Sequence, residues 1–374
     1  MVETALTISE TERHARLRLL RADAVGPATF HAVLSRFGSA ASALRHWSDI
    51  ARRLRKSGTP ALPSVDSVRR EVDAIRAFGA TLIAHDEPGY SPMLAGAEPC
   101  PPFLIVKGRT QLLAQPAIAV VGSRNASAIG QRFARNISTD LGAAGFAVVS
   151  GLARGIDTAA HKGSVETGTI AVMAGGLDVV YPPENARLHS EIAERGLLVS
   201  EVTFGQQPTA QHFPRRNRIV SGLAQGVLVV EATLHSGSLI TARLAVEQGR
   251  DVFAVPGSPL DPRASGTNAL LRQGAILTES AEDIITELTI GHRQPTLAQQ
   301  PPQPRRPPEE IKGGEDGLQS EILARLSRTP VETDELVRLT GAPPSAVAAA
   351  LLDLEFAGLL TRHHGQRVAL SDSG

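Results

Sequence analysis

The sequence predicts an α/β protein in which a Rossmann-like, doubly wound and mostly parallel sheet lies between a small N-terminal helical domain and a C-terminal winged helix. The first observation is that short apolar runs alternate with amphipathic stretches through the middle of the chain, as in repeated βαβ units. The second is helical spacing of apolar residues before this region. The third is a Pro/Gln-rich stretch that separates the C-terminal part.

The helical domain is predicted over residues 1–85 and is of the SAM or helix-hairpin-helix type. Apolar residues recur at helical spacing in Ala15–Leu20, Thr29–Phe37 and Val65–Phe78, with turn signals between them. The Gly26-Pro27 turn could offer backbone N–H groups to a DNA phosphate. A simple helical corner accounts for a single glycine turn more readily.

The central domain is predicted over residues 86–290, with a sheet that is buried on both faces. Strands of such a sheet are short, continuous apolar runs, because helices cover both of its sides. The predicted strands are Ala117–Val121, Phe146–Ser150, Ile170–Ala174, Leu197–Glu201, Val227–Glu231, Asp251–Val255 and Ala275–Thr278.

Residues 291–314 are rich in Pro and Gln and are predicted to be a linker, since they cannot bury a core. Residues 315–374 then have the order of a winged helix. Its third helix, within Ser345–Leu360, carries no Lys or Arg, so it favours a protein contact over DNA. Arg362 and Arg367, in the hairpin that forms the wing, could still contact DNA. The other predicted elements are helices over Leu318–Leu326 and Thr333–Thr340 and a hairpin over Thr361–Leu370, centred on His364-Gly365.

Composition excludes several classes of protein. The net charge is zero, so any nucleic-acid binding must come from a local basic patch. The single cysteine, Cys100, allows neither a disulfide within the chain nor a cysteine metal cage, which fits a cytoplasmic protein. No stretch of about 18 apolar residues is present, so we expect neither a signal peptide nor a membrane span.

Glycine-rich loops follow most of the predicted strands. The carboxyl ends of parallel strands meet at one edge of a sheet, where loop N–H groups and helix N-termini can bind an anion. The loops contain neither the dinucleotide fingerprint Gly-x-Gly-x-x-Gly nor the phosphate-binding loop Gly-x-x-x-x-Gly-Lys-Ser/Thr, so no NAD, ATP or other cofactor is expected. The loops are Val121-Gly122-Ser123-Arg124, Ser150-Gly151-Leu152-Ala153-Arg154-Gly155, Ala174-Gly175-Gly176, His235-Ser236-Gly237-Ser238 and Pro256-Gly257-Ser258.

The segment His212–Gly222 concentrates three arginines and one aromatic residue without an acid. Arg215 and Arg218 share a helical face, and their guanidinium groups suit phosphate oxygens. Phe213 can stack on an unpaired base. The alternative is that Arg218 pairs with a buried acid such as Glu201 or Glu231. Arg215 and Arg216 would then be solvent-exposed residues in the first turn of the helix.

Catalytic and metal sites are not predicted. Asp157 and His161 lie four residues apart on a predicted helix and could form a proton relay. A helix-capping role for Asp157 explains the spacing more simply. No metal-ligand spacing and no nucleophile accompany them.

Together these loops and the Phe213-Pro214-Arg215-Arg216-Asn217-Arg218 segment closely resemble the DNA-processing protein A family (DprA, also called Smf). The resemblance implies a cytoplasmic homodimer, formed through the Rossmann-like domain, that binds single-stranded DNA, protects incoming strands during natural transformation and loads RecA recombinase. It implies no enzymatic activity. The residues expected to bind DNA are Gly122, Ser123, Arg124, Ser150, Gly151, Arg154, Gly155, Lys162, Phe213, Arg215, Arg216, Asn217, Arg218, Ser236, Gly237 and Ser238.

Two alternatives remain. One is an enzyme on the same fold, similar to the nucleotide phosphoribohydrolases, which carry a Pro-Gly-Gly-x-Gly-Thr loop followed by a glutamate. The corresponding loop here begins Glu231-Ala232-Thr233 and lacks that pattern. The other is an interaction scaffold, which would have no affinity for DNA.

Overall fold

A computed structural model describes residues 8–54, 60–292, 315–327, 329–363 and 367–371. The described residues fall into two compact units, one that ends with His292 and one that starts at Glu315. Residues 293–314 of the predicted linker lie outside the described residues.

Five helices open the first unit and surround a small core of their own. Ser9 caps the first helix by accepting a hydrogen bond from the Glu12 N–H at 3.2 Å. The second begins with Pro27 at its first position and ends at Gly38, whose φ of 74° is readily adopted by glycine. The core is built on Leu19 and Phe30, both fully buried. The helices are α1 Glu10–Leu20, α2 Pro27–Phe37, α3 Ala40–Arg45, α4 Trp47–Leu54 and α5 Val65–Ala77.

A nine-stranded sheet forms the rest of the first unit and confirms the predicted mostly parallel architecture. All seven predicted strands are present within one or two residues of their expected bounds. Two further strands were not predicted, and both are antiparallel to their neighbours. The strands are β1 Thr81–Ala84, β2 Phe103–Gly108, β3 Ala117–Val121, β4 Ala147–Ser150, β5 Thr169–Val172, β6 Leu197–Ser200, β7 Gly226–Val229, β8 Asp251–Ala254 and β9 Ile276–Leu277, in the order β1-β2-β6-β5-β4-β3-β7-β8-β9.

Helices cover both faces of the sheet. Successive residues of β3 point to opposite sides, so that Ala119 and Val121 enter one core and Ile118 and Val120 the other. The chain winds from β3 through β4 and β5 to β6 and then returns to the other side of β3. The helices are α6 Pro92–Ala95, α7 Ala128–Ala143, α8 Ile156–Ser164, α9 Ala186–Arg195, α10 His212–Gly222, α11 Gly237–Glu247, α12 Ser265–Arg272 and α13 Ala281–His292.

The helical region and the sheet are joined by ion pairs. Arg16 of α1 contacts Asp86, just after β1, at 2.7 Å, and Arg13 of α1 pairs with Glu87 in the same segment. Leu17 of α1 packs in one core with residues of β1 and β2. The predicted boundary at residue 85 placed β1 with the helices, whereas β1 pairs with β2 and belongs to the sheet.

The second unit has the predicted order of a winged helix. Leu336 and Leu351 are fully buried in its core, while Leu352 is 47% exposed on its third helix. The turn predicted at His364-Gly365 lies outside the described residues. Its elements are α14 Glu315–Arg325, β10 Val331–Glu332, α15 Thr333–Thr340, α16 Pro344–Phe356, β11 Leu360–His363 and β12 Arg367–Leu370, with the strand order β10-β12-β11.

None of the helices in the described part of the chain combines the length and the apolar character that a membrane crossing requires.

Candidate nucleic-acid interface

A cleft of about 430 Å³ opens at the carboxyl ends of β3, β4 and β7. Since β4 and β7 flank β3 on opposite sides, the cleft lies where the winding of the sheet reverses, which is the usual ligand position in an open α/β sheet. Ten of the predicted residues line it: Gly122, Ser123, Arg124, Gly151, Phe213, Arg216, Asn217, Ser236, Gly237 and Ser238.

Three helices begin around this cleft. Gly155 precedes α8, Phe213 lies in the first turn of α10, and Ser236 is the N-cap of α11, where its Oγ accepts a hydrogen bond from the Ser238 N–H. The N-terminus of an α-helix carries partial positive charge and attracts phosphate groups. Gly155 has φ of 76°, and a Cβ there would lie 2.2 Å from the Ser123 carbonyl oxygen, so only glycine fits this turn.

Three exposed arginines lie on the loops and the helix start that form the opening. The Arg124 guanidinium lies over the Phe213 ring, 4.9 Å from its centroid. Arg154 lines an adjoining groove, and its Nη1 lies 3.5 Å from the Glu184 carboxylate. Arg215 is exposed on the first turn of α10. These three side chains retain most of their freedom to contact a phosphate backbone.

Arg216, by contrast, lies in the floor of the cleft. It is 5% exposed, and its Nη1 donates to the carbonyl oxygens of Gly151 and Val172. Burial lowers the pKa of its guanidinium to about 10. The sequence grouped Arg216 with the phosphate ligands, but its contacts are mainly to the protein backbone. Arg216 therefore supports the cleft from within the protein, and a direct phosphate contact by its guanidinium stays a prediction.

Asp157 and His161 have separate structural partners and do not form a proton relay. The Asp157 carboxylate accepts hydrogen bonds from the N–H groups of Gly151 and Ala153, at 3.1 and 3.3 Å. Burial raises the pKa of Asp157, while the charge of Arg216 opposes that rise. These two loop N–H groups therefore serve Asp157 and are not free to bind phosphate.

His161 is fully buried and neutral. Its Nε2 accepts a hydrogen bond from the Leu152 N–H at 3.3 Å, and its Nδ1 lies 2.7 Å from the Thr169 hydroxyl. With Nε2 accepting, the proton is on Nδ1. Burial, aided by the nearby charge of Arg216, lowers the pKa of His161 to about 3. His161 is therefore part of the core beneath the site.

Other predicted residues lie outside the cleft. Arg218 forms an ion pair with Glu201 and donates to the Pro99 carbonyl at 2.8 Å, as the alternative interpretation of the sequence expected. Ser150 is fully buried and donates to the Val120 carbonyl at 2.7 Å. Lys162 is exposed on α8, but it does not line the cleft.

The sequence did not identify Tyr181 as a site residue. Tyr181 is 44% exposed, and its ring centroid lies 5.7 Å from that of Phe213 at an interplanar angle of 57°. It lines the adjoining groove together with Arg124 and Arg154. A usable signal was present, since one of only two tyrosines in the chain follows the glycine loop of the third predicted strand.

Glu231 is held by contacts within the protein. Its carboxylate accepts hydrogen bonds from the Ser127 N–H, at 2.9 Å, and from the Ser127 hydroxyl. Ser127 is the N-cap of α7, so Glu231 ties the loop after β7 to that helix start. Within the described ranges, no three His, Cys, Asp or Glu side chains come together as metal ligands would.

Comparison with known families gives three matches along the chain. Residues 81–289 match the family described as DNA recombination-mediator protein A. Residues 10–74 match a DprA-like N-terminal HHH domain, and residues 299–366 match a DprA winged helix domain.

Individual relatives agree with these matches. The chain is 40% identical over 298 residues to Protein Smf of Escherichia coli K12, with 77% of each chain covered. It is 48% identical over 189 residues to the DNA processing protein DprA of Streptococcus pneumoniae, which covers 50% of this chain and 67% of the relative.

Two solved structures are similar. The X-ray structure of DprA from S. pneumoniae superposes with a TM-score of 0.62 at 35% identity, covering 75% of this chain and 99% of that one. A structure of DNA processing protein A from Helicobacter pylori, described by its single-stranded DNA binding mode, superposes with a TM-score of 0.52 at 28% identity. It covers 57% of this chain and 96% of the other.

Proposed function

The chain belongs to the DNA recombination-mediator protein A family, as its glycine and arginine motifs predicted, and we propose that it binds single-stranded DNA in the cleft at the carboxyl edge of its sheet. The main support for this proposal is that the Arg124–Phe213 pair lies next to the N-termini of α8, α10 and α11. Cations and helix N-termini attract phosphates, and a half-buried aromatic ring such as that of Phe213 can stack on any unpaired base.

The binding is expected to be electrostatic in origin. Arg124 lines the cleft, Arg154 lines the adjoining groove, and Arg215 is exposed on the first turn of α10 without lining either of them. Each would replace counterions on the phosphate backbone. For single strands, the logarithm of the affinity falls by about 0.7 per tenfold rise in salt for each neutralised phosphate. Three contacts therefore predict a slope of about −2, with helix N-termini adding to it.

The test is an anisotropy titration with a labelled oligothymidylate and with a duplex of equal length, repeated across salt concentrations. Arg124→Ala and Arg215→Ala should each weaken single-strand binding and reduce the salt slope by about 0.7. Arg52→Ala, at a side chain 75% exposed on α4, is the matched control and should leave both unchanged. If the wild-type protein shows no preference for the single strand, or if neither cleft variant differs from the control, the proposed function is wrong.

Within this function, we propose that the protein protects incoming strands and loads RecA during natural transformation, in the cytoplasm. Family membership and the cleft support this role. The test is RecA ATPase activity on single strands already coated with a single-strand-binding protein. The wild type should shorten the lag before RecA assembles, and Arg215→Ala should do so less effectively.

We also propose that two copies pair through the β9 edge of the sheet. Among the strands that the structure describes, β9 hydrogen-bonds only to β8, and Leu277 within it is 51% exposed. Val246, near the end of α11, is 66% exposed. Light scattering should give the mass of a dimer for the wild type and of a monomer for Leu277→Asp. A wild-type monomer at micromolar concentration would argue against this assembly.

A phosphoribohydrolase is the second candidate function on this fold, and two observations argue against it. The carboxylate of Glu231 is already bonded to Ser127, and the loop after β7 lacks the glycine pattern of those enzymes. We expect no release of ribose phosphate from nucleoside monophosphates. Turnover that is abolished by Glu231→Gln would favour the enzyme instead.

A further inference from the structure

The exposed ring of Tyr181 has no role in the fold described above. It follows β5 in a segment that is fixed on both sides. The Asp178 carboxylate accepts a hydrogen bond from the Gly205 N–H at 2.8 Å, and the Asn185 amide donates to the Leu152 carbonyl at 2.9 Å. The ring is therefore presented at the opening of the cleft by a structured segment.

Phe213 by itself offers limited stacking surface. The Arg124 guanidinium lies over its ring at 4.9 Å from the centroid, so one aromatic face is already in contact with a cation. A single strand bound by stacking needs a separate aromatic face for each base that it places on the protein. Tyr181 is the aromatic neighbour of Phe213 in this groove, with ring centroids 5.7 Å apart.

We propose that Tyr181 forms a second nucleobase subsite, which holds the base next to the one on Phe213. This inference rests on the proposed single-strand binding. Successive bases in a stacked strand are about 3.4 Å apart, whereas the two ring centroids are 5.7 Å apart and the planes are tilted by 57°. Two neighbouring bases can occupy both rings only if they unstack from each other.

This geometry gives the site a preference for single strands that does not depend on sequence. Bases within a duplex remain stacked and paired, so they cannot reach two tilted rings at once. Every base has a π-face, so the pair of rings accepts any sequence. Loss of one base–aromatic contact corresponds to a loss of affinity of about fivefold or more.

The experiment uses the full chain and compares Tyr181→Ala with Tyr181→Phe, which keeps the ring. Two probes of equal length are titrated by anisotropy: an oligothymidylate and the same backbone with abasic sites at its centre. We expect Tyr181→Ala to bind the oligothymidylate at least about fivefold more weakly, with an unchanged salt slope, and Tyr181→Phe to bind as the wild type does. On the abasic probe, all three proteins should bind equally.

The outcomes separate this inference from the proposed function. If the wild type binds single strands and Tyr181→Ala binds them equally well, the subsite does not exist and the proposed function stands. If Tyr181→Ala loses as much affinity for the abasic probe, Tyr181 acts through the shape of its loop and the inference is wrong. If the wild type binds no single strand, the proposed function itself fails. Equal melting temperatures for the three proteins establish that they are folded.

Discussion

Arg215 and Arg216 are neighbours in sequence, yet the structure gives them opposite environments. Arg215 is exposed on α10, whereas Arg216 is 5% exposed and donates to the carbonyl oxygens of Gly151 and Val172. Replacing each by Met keeps helix propensity and most of the side-chain length while it removes the charge. We therefore expect Arg216→Met to act on the stability of the fold and of the loop that contains Gly151, and Arg215→Met to act on a direct contact with DNA.

Arg216→Met should reduce stability. It deprives two carbonyl groups of their donor and leaves the buried Asp157 without its neighbouring cation. Leaving these buried polar groups without their partner should cost about 3–5 kcal/mol in total, at about 1–3 kcal/mol for each group. At about 2–4 °C per kcal/mol for a unit of this size, the melting temperature should fall by roughly 6–20 °C.

Arg215→Met should leave stability within about 0.5 kcal/mol of the wild type, since it changes an exposed side chain. It should weaken single-strand binding and reduce the salt slope by about 0.7. Thermal unfolding followed by circular dichroism and anisotropy titrations on the same samples measure both effects. Adding Asp157→Asn to Arg216→Met should restore part of the lost stability, because it removes the unpaired buried charge.

The opposite pattern would refute this assignment. If Arg216→Met melts within about 1 °C of the wild type, which corresponds to less than about 0.5 kcal/mol, and still loses single-strand affinity, then Arg216 is a phosphate ligand. The backbone contacts of Arg216 would in that case contribute little to the stability of the fold.

Three further predictions concern residues around the cleft. Glu184→Gln should raise single-strand affinity a few-fold at low salt, because it frees Arg154 from an exposed ion pair that contributes at most about 1 kcal/mol; a salt titration against the wild type measures this, and unchanged affinity would contradict it. His161 has a folded-state pKa of about 3, below its usual 6.5, so unfolding takes up a proton between these values and stability falls as the pH drops from 6.5 towards 3. Urea unfolding at pH 7 and pH 4.5 tests this. The His161→Gln variant should be less stable than the wild type at pH 7, but its free energy of unfolding should change less between the two pH values. An equally large change in the variant would show that His161 is not the source of the pH dependence. Glu231→Gln should cost about 1 kcal/mol by weakening the contact with Ser127 at the start of α7, as urea unfolding would measure, while a fully stable variant would contradict this role.

The predicted strands were identified because they are buried on both faces and so appear as short apolar runs. β1 was missed for a physical reason. The four residues Thr81–Ala84 directly follow the helical pattern of α5, and their partner β2 lies about twenty residues further along the chain. Sequence periodicity reports local structure and does not specify pairing between distant segments.

The glycine loops were predicted to meet because parallel strands end at one edge of their sheet. The distinction between Arg215 and Arg216 was missed, although the sequence contains it. Arg216 precedes Ile219, Val220 and Leu223 by three, four and seven residues, and all three are buried. This spacing places Arg216 on the apolar stripe of α10 and turns Arg215 away from it.

The burial of Arg216 also explains why the arginine segment of α10 and the glycine loop after β4 belong to the same site. Arg216 donates to the Gly151 carbonyl, while Asp157 accepts from the Gly151 N–H. A Cβ on Gly151 would lie 2.0 Å from the Arg216 guanidinium, so any other residue at this position would have to displace the buried arginine beneath it. The two buried charges thus fix the loop that carries Arg154 to the surface. A substitution of Arg216 should therefore weaken DNA binding because it displaces this loop. A substitution of Arg154 should weaken it because a phosphate contact is lost.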